Sequence, residues 1–158
     1  MSILSKLFNG LAFWGLAFAG LSLAPSASLA QTDAVGFVKT VKGEAWVTTG
    51  GQRVPAQSGT PISQGSQLKT GAAASMGVTF KDNTVMSFGP DTELTVDEFL
   101  YAPAQGQLKL GTRLAKGSLN YVSGVIAKLK PEAVTVKTPA GIIGVRGTQF
   151  VATVQETP

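Results

Sequence analysis

Apolar and polar residues alternate along most of the chain after residue 31, the pattern of β-strands with one buried face. The clearest segment is residues 74–80, where Met76, Val78 and Phe80 alternate with small or polar residues. Residues 81–83 then supply turn chemistry, and residues 85–88 form a second apolar run that contains Met86 and Phe88. This stretch predicts a β-hairpin.

Short strands separated by turns are predicted for the rest of this part of the chain. They cover residues 35–41, 44–48 and 94–96, and the alternating sets Leu108/Leu110, Leu119/Tyr121, Val134/Val136 and Phe150/Ala152/Val154. Turn signals recur about every 8–12 residues, a spacing typical of sandwiches and barrels. Residues 99–106 are expected to form a loop, and residues 123–130 are the one helical candidate, ended by Pro131. The pattern predicts an all-β single domain, a sandwich or jelly-roll-like double sheet.

The amino-terminal segment has the features of a secretory signal. Residues 7–24 are almost wholly apolar, Pro25 follows, and Ser28 and Ala30 place small residues at the exit. We expect residues 1–30 to be a signal peptide cleaved after Ala30, and residues 31–158 to be one domain in the periplasm or the extracellular medium. The alternative is an uncleaved membrane anchor, because a run of this length is close to the minimum of roughly 17 residues for a span.

Composition limits the chemistry that this chain offers. It contains 0 His and 0 Cys, which excludes histidine bases, thiol nucleophiles and Ser-His-Asp triads. Two acidic pairs, Asp91 with Glu93 and Asp97 with Glu98, are the remaining candidates for a glycosidase site. Their positions near predicted turns favour ordinary solvated acids. We therefore expect no catalytic residue, no cofactor and no metal site.

Charge suggests a possible partner but does not identify one. The formal net charge is +4, and lysines concentrate in the carboxyl-terminal half. One interpretation is that this half binds an anionic polymer of the cell envelope. The alternative is that the lysines occupy the solvent faces of strands and protect sheet edges from aggregation. Nucleic acid is not expected as a partner for an exported protein of such modest charge.

Two residues are candidates for ligand binding. Trp46 shares a strand face with Glu44 and Thr48, so its ring is exposed for stacking if Ala45 and Val47 face the core. Its alternative role, which we favour, is to cover a sheet edge or to fill the core at a strand end. Arg146 could grip a carboxylate or a phosphate; its alternative role, which we favour, is an internal ion pair with Asp82, Asp91 or Asp97.

The most specific pattern lies in residues 138–150, where Gly141, Gly144 and Gly147 fall at every third position. Glycines at such places serve positive φ or close backbone approach, and at least one of these three is expected to do so. The run resembles the closing signature of FecR-type domains, a threonine-proline followed by G-[VI]-R-G-T-x-F. The residues that match this signature are Thr138, Pro139, Gly144, Val145, Arg146, Gly147, Thr148 and Phe150.

Earlier segments follow the same family order. Residues 61–71 are similar to the family phrase that ends in threonine-glycine, and Asp82 occupies the acidic turn between two strands. The resemblance implies an exported sensing or surface module. FecR-type regulators also carry a cytoplasmic segment that acts on a sigma factor, which we do not expect here. We expect instead a non-enzymatic module that binds or scaffolds another envelope protein, with glycan or anionic-polymer binding as the alternative.

Overall fold

The computed structural model describes residues 33–156, and the predicted signal peptide and its cleavage site lie outside this range. The strands are β1 (Ala34–Lys42), β2 (Ala45–Thr49), β3 (Gln52–Pro55), β4 (Pro61–Ser63), β5 (Gln67–Thr70), β6 (Ser75–Phe80), β7 (Val85–Phe88), β8 (Glu93–Ala102), β9 (Gln107–Val122), β10 (Val134–Thr138), β11 (Gly141–Gly144) and β12 (Gln149–Val154). One short helix, α1 (Val125–Leu129), follows β9.

The strands form one sheet curled into a half-barrel, in the order β3-β2-β5-β8-β9-β7-β6-β1-β4. Two further branches start from β9, which pairs in parallel with β10 and antiparallel with β12; β11 pairs with β10. This confirms the predicted all-β class. The two predicted layers are two halves of one sheet.

The long strand β9 joins these halves. Its first part pairs with β8 and β10, and its second part pairs with β7 and β12. Gly117 lies where the two parts meet and has φ +89°. A Cβ there would collide with Thr92, so both the backbone angle and the space require glycine.

The core lies between the two halves of the sheet. Phe80 of β6 stacks on Phe99 of β8, with ring centroids 5.7 Å apart. The expected core residues are buried at Met76, Val78, Phe80, Met86, Phe88, Leu110, Val134 and Val136, while Leu108 and Phe150 are half-buried against them. The alternating pattern therefore located most of the core.

Three local predictions need correction. Residues 99–102, expected in a loop, continue β8, because the β8–β9 hairpin stays paired as far as Ala102 opposite Gln107. The separate strands predicted around Leu108 and Leu119 are one strand, since β9 stays paired with β8 and then with β12 along its whole length. The predicted helix exists but is shorter, Val125–Leu129. Within residues 33–156, no helix has the length and apolar character needed to cross a membrane.

Candidate binding surface

The residues of the carboxyl-terminal signature begin at the β10–β11 turn. Thr138 pairs with Gly141 across this turn, and its hydroxyl donates a hydrogen bond to the Gly141 carbonyl at 3.0 Å. Pro139 occupies the turn, where its fixed φ suits a tight connection. The first part of the signature thus makes a hairpin.

The second part of the signature carries the chain from β11 to β12. Val145 enters the core and is 3 % exposed. Ser123, just after β9, then holds the next two residues: its hydroxyl donates to the Gly147 carbonyl at 2.7 Å and its amide to the Thr148 carbonyl at 2.8 Å. Gly147 has φ +116°, a region that disfavours other residues. The expectation of a positive φ within the glycine run is confirmed.

Phe150 completes the connection by stacking on Tyr121 of β9, with ring centroids 4.9 Å apart. The Tyr121 side chain is fully buried, and this burial raises the pKa of its hydroxyl. The neighbouring hydroxyls of Thr84 and Ser123 partly oppose that rise in pKa, and the charge of Asp82 adds to it. The signature is therefore largely a structural bridge between the two halves of the sheet.

Arg146 is the charged residue of this bridge, and it is exposed. It lines a shallow cavity of about 310 Å³ with Glu132, Thr135 and Val145. No ion pair involves it among residues 33–156, so the internal clamp that we favoured from the sequence is wrong. Two of the three acids considered as its partners are engaged elsewhere: Asp82 is buried, and Asp97 pairs with another arginine.

Asp82 is the acid whose role the sequence did not reveal. It is fully buried and accepts hydrogen bonds from the amide and the hydroxyl of Thr84, at 3.1 and 2.8 Å. It also accepts one from the Ile126 amide at 3.2 Å, while its own carbonyl accepts from the Val125 amide at 2.7 Å. The side chain thus satisfies the free amides at the start of α1 from a distant turn. The position of Asp82 in a turn between two strands did not predict its contact with α1.

Trp46 occupies the outer face of β2, while Ala45 and Val47 are buried, so the alternative that placed Trp46 in the core is wrong. The ring is only half-exposed, however, because the guanidinium of Arg53 on β3 lies over it, 4.1 Å from the ring centroid. A sugar stacking on that face would have to displace the arginine and lose its cation–π attraction. The geometry does not favour Trp46 as a stacking platform.

Most acids of the two candidate catalytic pairs have partners of their own on the sheet. Glu93 pairs with Lys69 at 3.0 Å, and Glu98 pairs with Lys109 at 2.9 Å. Arg113 donates from Nη2 to both carboxylate oxygens of Asp97, at 3.0 and 3.1 Å. These cross-strand pairs direct the carboxylates toward neighbouring cations on β5 and β9. The arrangement favours acids that stabilise the sheet over a glycosidase site.

A groove lies between β11 and β12, two strands that each have a single partner strand. Its volume is about 480 Å³, and its lining includes Pro139, Ile143, Val151 and Val154. Ile142 and Val151 are 68 % and 69 % exposed. The sequence analysis did not identify either residue, because apolar side chains in a strand pattern are assigned to the core. Residues 141–145 lack the alternation of apolar and polar residues seen elsewhere, and this was the one sign in the sequence that apolar side chains lie on both faces of β11.

Positive charge is concentrated in the chain segment that contains β11. Residues 125–146 carry Lys128, Lys130, Lys137 and Arg146, all exposed, and one acid, Glu132. None of these side chains makes an ion pair within the described range 33–156. The carboxyl-terminal strands therefore combine open strand edges, exposed apolar side chains and free cations.

The family assignment comes from the carboxyl-terminal part of the chain. A family model described as FecR protein matches residues 66–158, more than half of the sequence. No curated protein and no solved structure matches the chain significantly. The matched range includes the Asp82 turn and the whole bridge from Thr138 to Phe150. The chain belongs to the FecR family.

Proposed function

We propose that this protein is an exported, non-enzymatic module that binds or scaffolds another protein of the bacterial cell envelope, in a sensing or surface assembly. Membership of the FecR family supports a role of this class. The signal-like segment that ends at Ala30 supports export to the periplasm or the extracellular medium, with Gln31 as the first mature residue.

The observation that best supports the proposal is the exposure of Arg146 together with its lack of an ionic partner among the described residues. This residue lies in the most specific motif of the family, yet it is exposed and has no ionic partner in residues 33–156. A cation kept free in a motif whose other residues build the fold is available to an external group. Exposed apolar side chains in the same segment, such as Ile142, favour a protein over a simple anion.

Glycan binding through Trp46 has less support, because Arg53 already covers one face of the ring. A carboxylate-dependent hydrolase has less support for a similar reason, since Glu93, Asp97 and Glu98 are held in ion pairs.

The experiment is crosslinking in intact envelopes, followed by purification of a tagged protein and identification of what is attached. Wild type should yield one dominant partner protein, and Arg146→Glu should lose it while melting like wild type. Lys39→Glu, which makes the same charge change on exposed β1, is the matched control and should keep the partner. Turnover of a glycan or peptide by the purified protein, or the absence of any crosslinked protein, would overturn the proposal.

A further inference from the structure

Among residues 33–156, four strands of the sheet have only one neighbouring strand, and they differ in how their free edges are protected. The strand β3 carries Arg53 and Pro55, and β4 has three residues beginning with Pro61. Charges, prolines and short length are the usual means by which proteins prevent a free edge from pairing with another chain. These two edges are therefore protected.

The free edges of β11 and β12 lack the charges and prolines that protect the other two edges, although β11, with four residues, is as short as β3. The sequence of β11 is Gly-Ile-Ile-Gly and that of β12 is Gln-Phe-Val-Ala-Thr-Val, with no charged residue and no proline in either strand. Both strands border the 480 Å³ groove. A free edge that is apolar and uncharged is a ready template for an added strand, whose backbone would pair with the edge and whose side chains would enter the groove.

The groove also has an uncovered apolar floor. Ile143, Ala152 and Val154 pack against the core but remain partly exposed where they line it. Ile142 on β11 and Val151 on β12 are exposed, and Val151 also lines the groove. An inserted strand would cover the floor and so complete the burial that these residues begin.

The charged residues near β11 indicate which kind of added strand the groove would bind. Lys137 pairs with Ile142 across β10 and β11 and is exposed beside it, and Arg146 lies two residues after β11. Neither has an ionic partner in residues 33–156. A second copy of this chain, paired through β11, would bring the same cations together. An acidic strand would instead neutralise them.

We propose that the β11–β12 groove accepts an extended, acidic segment of the partner protein, which adds as a strand to the β11 edge with its carboxylates near Lys137 and Arg146. This inference rests on the proposed protein-binding function and identifies the surface and the partner's chemistry.

The first test selects peptides from a displayed random library on the purified domain. Selected peptides should be rich in Asp and Glu beside alternating β-branched residues. Methylation of backbone nitrogens on one alternate set of a selected peptide should abolish binding, while methylation of the other set should not, because only one set would donate to β11. Side chains are unchanged, so this readout is specific to strand addition.

The second test uses protein variants and one selected peptide. Arg146→Glu should weaken binding about tenfold or more, and Arg146→Lys should retain most of it, because the charge remains. Lys39→Glu should bind as wild type does. Thermal melting of each variant verifies that folding is unaffected, as expected for exposed side chains without ion pairs.

The outcomes separate this inference from the proposed function. Selected peptides without acidic enrichment, equal tolerance of methylation on both sets, or equal losses for Arg146→Glu and Lys39→Glu would overturn the acidic-strand proposal. If any of these occurs while envelope crosslinking still yields a partner that depends on Arg146, the binding function stands and the strand mode fails. If envelope crosslinking yields no protein, the function itself fails.

Discussion

Two regions of the sheet differ in whether their charged side chains form ion pairs. On the face formed by β5, β8 and β9, each acid lies beside a cation on the neighbouring strand, as in Lys69–Glu93, Lys109–Glu98 and Arg113–Asp97. Along β10 and β11 and the segments that flank them, cations are exposed and have no ionic partner within residues 33–156, and exposed apolar side chains lie in the same segments.

The difference indicates which surface is complete within one chain. The paired face already satisfies its charges and presents little that a partner could gain. The carboxyl-terminal strands keep free charge, free strand edges and partly covered apolar surface together. We infer that the first region serves the fold and the second serves recognition, and the following changes test that division.

The largest effect should come from the core between the two halves. Phe80→Ala removes a ring that is 2 % exposed and stacks on Phe99, so it should lower the free energy of unfolding by about 3–5 kcal/mol. Phe150→Ala should cost less, because Phe150 is only half-buried, and Ile142→Ala should cost less than ~0.5 kcal/mol. Chemical denaturation measures all three, and a large loss for Ile142→Ala would place β11 in the closed core.

The contact between the Asp82 turn and α1 should also be sensitive. A Cβ on Gly124 would collide with the Thr84 amide nitrogen and the Asp82 carbonyl oxygen, so Gly124→Ala should destabilise the domain by about 1–3 kcal/mol. Gly144→Ala is the matched control on β11, where a Cβ would meet open space. Similar melting temperatures for the two variants would show that the turn and α1 do not pack as closely as described.

Within the bridge, the glycines should differ from one another. Gly147→Val places a β-branched residue at φ +116° and should cost about 1–3 kcal/mol. Gly144→Val should cost much less, because Gly144 has neither a positive φ nor a nearby atom to collide with. Equal melting of the two variants would argue that the bridge adopts another backbone conformation.

A smaller effect is expected in alkaline solution. Burial raises the pKa of Tyr121 above the ordinary value of 10.0, so the folded state keeps the proton at a pH where the unfolded state loses it. The stability linked to this group is complete below pH 10 and is lost as the pH rises through the folded-state pKa. Tyr121→Phe should remove this part of the alkaline slope in the free energy of unfolding. Tyr101→Phe, at a half-buried tyrosine of β8, is the control, because it leaves the Tyr121 hydroxyl in the protein.

The smallest effects on stability should come from the charges themselves. Arg113→Ala breaks an exposed pair with Asp97 and should cost about 0.2–1 kcal/mol. Arg146→Ala should leave stability unchanged, since no ion pair is lost among residues 33–156. Denaturation midpoints measured side by side provide the comparison, and a greater loss for Arg146→Ala would return that residue to a structural role.

The sequence predicted those features that depend on local pattern. Alternation identified the hairpin of β6 and β7 and put Ala45 and Val47 on the face opposite Trp46, because strand periodicity sets which residues share a face. It left open which of these two faces of β2 is buried. The glycine run correctly indicated a positive φ, at Gly147.

Features that depend on distant partners could not be read from the pattern. The contact of Asp82 with Ile126 joins residues 44 positions apart, and the cover of Arg53 over Trp46 depends on how β3 folds back on β2. The interpretation of Arg146 failed for the same reason, since the acids considered as its partners were not placed in space. The open edges of β11 and β12 follow from strand order, which alternation does not reveal.

The most direct test of the division is photocrosslinking in living cells from two exposed strand positions. A photoreactive residue replaces Ile142 on β11 in one strain and Val54 on β3 in another. The account predicts a crosslink to a partner protein from position 142, through an acidic segment identified by mass spectrometry, and none from position 54. A crosslink from position 54 alone would contradict the account, because the protected edge would then be the binding surface.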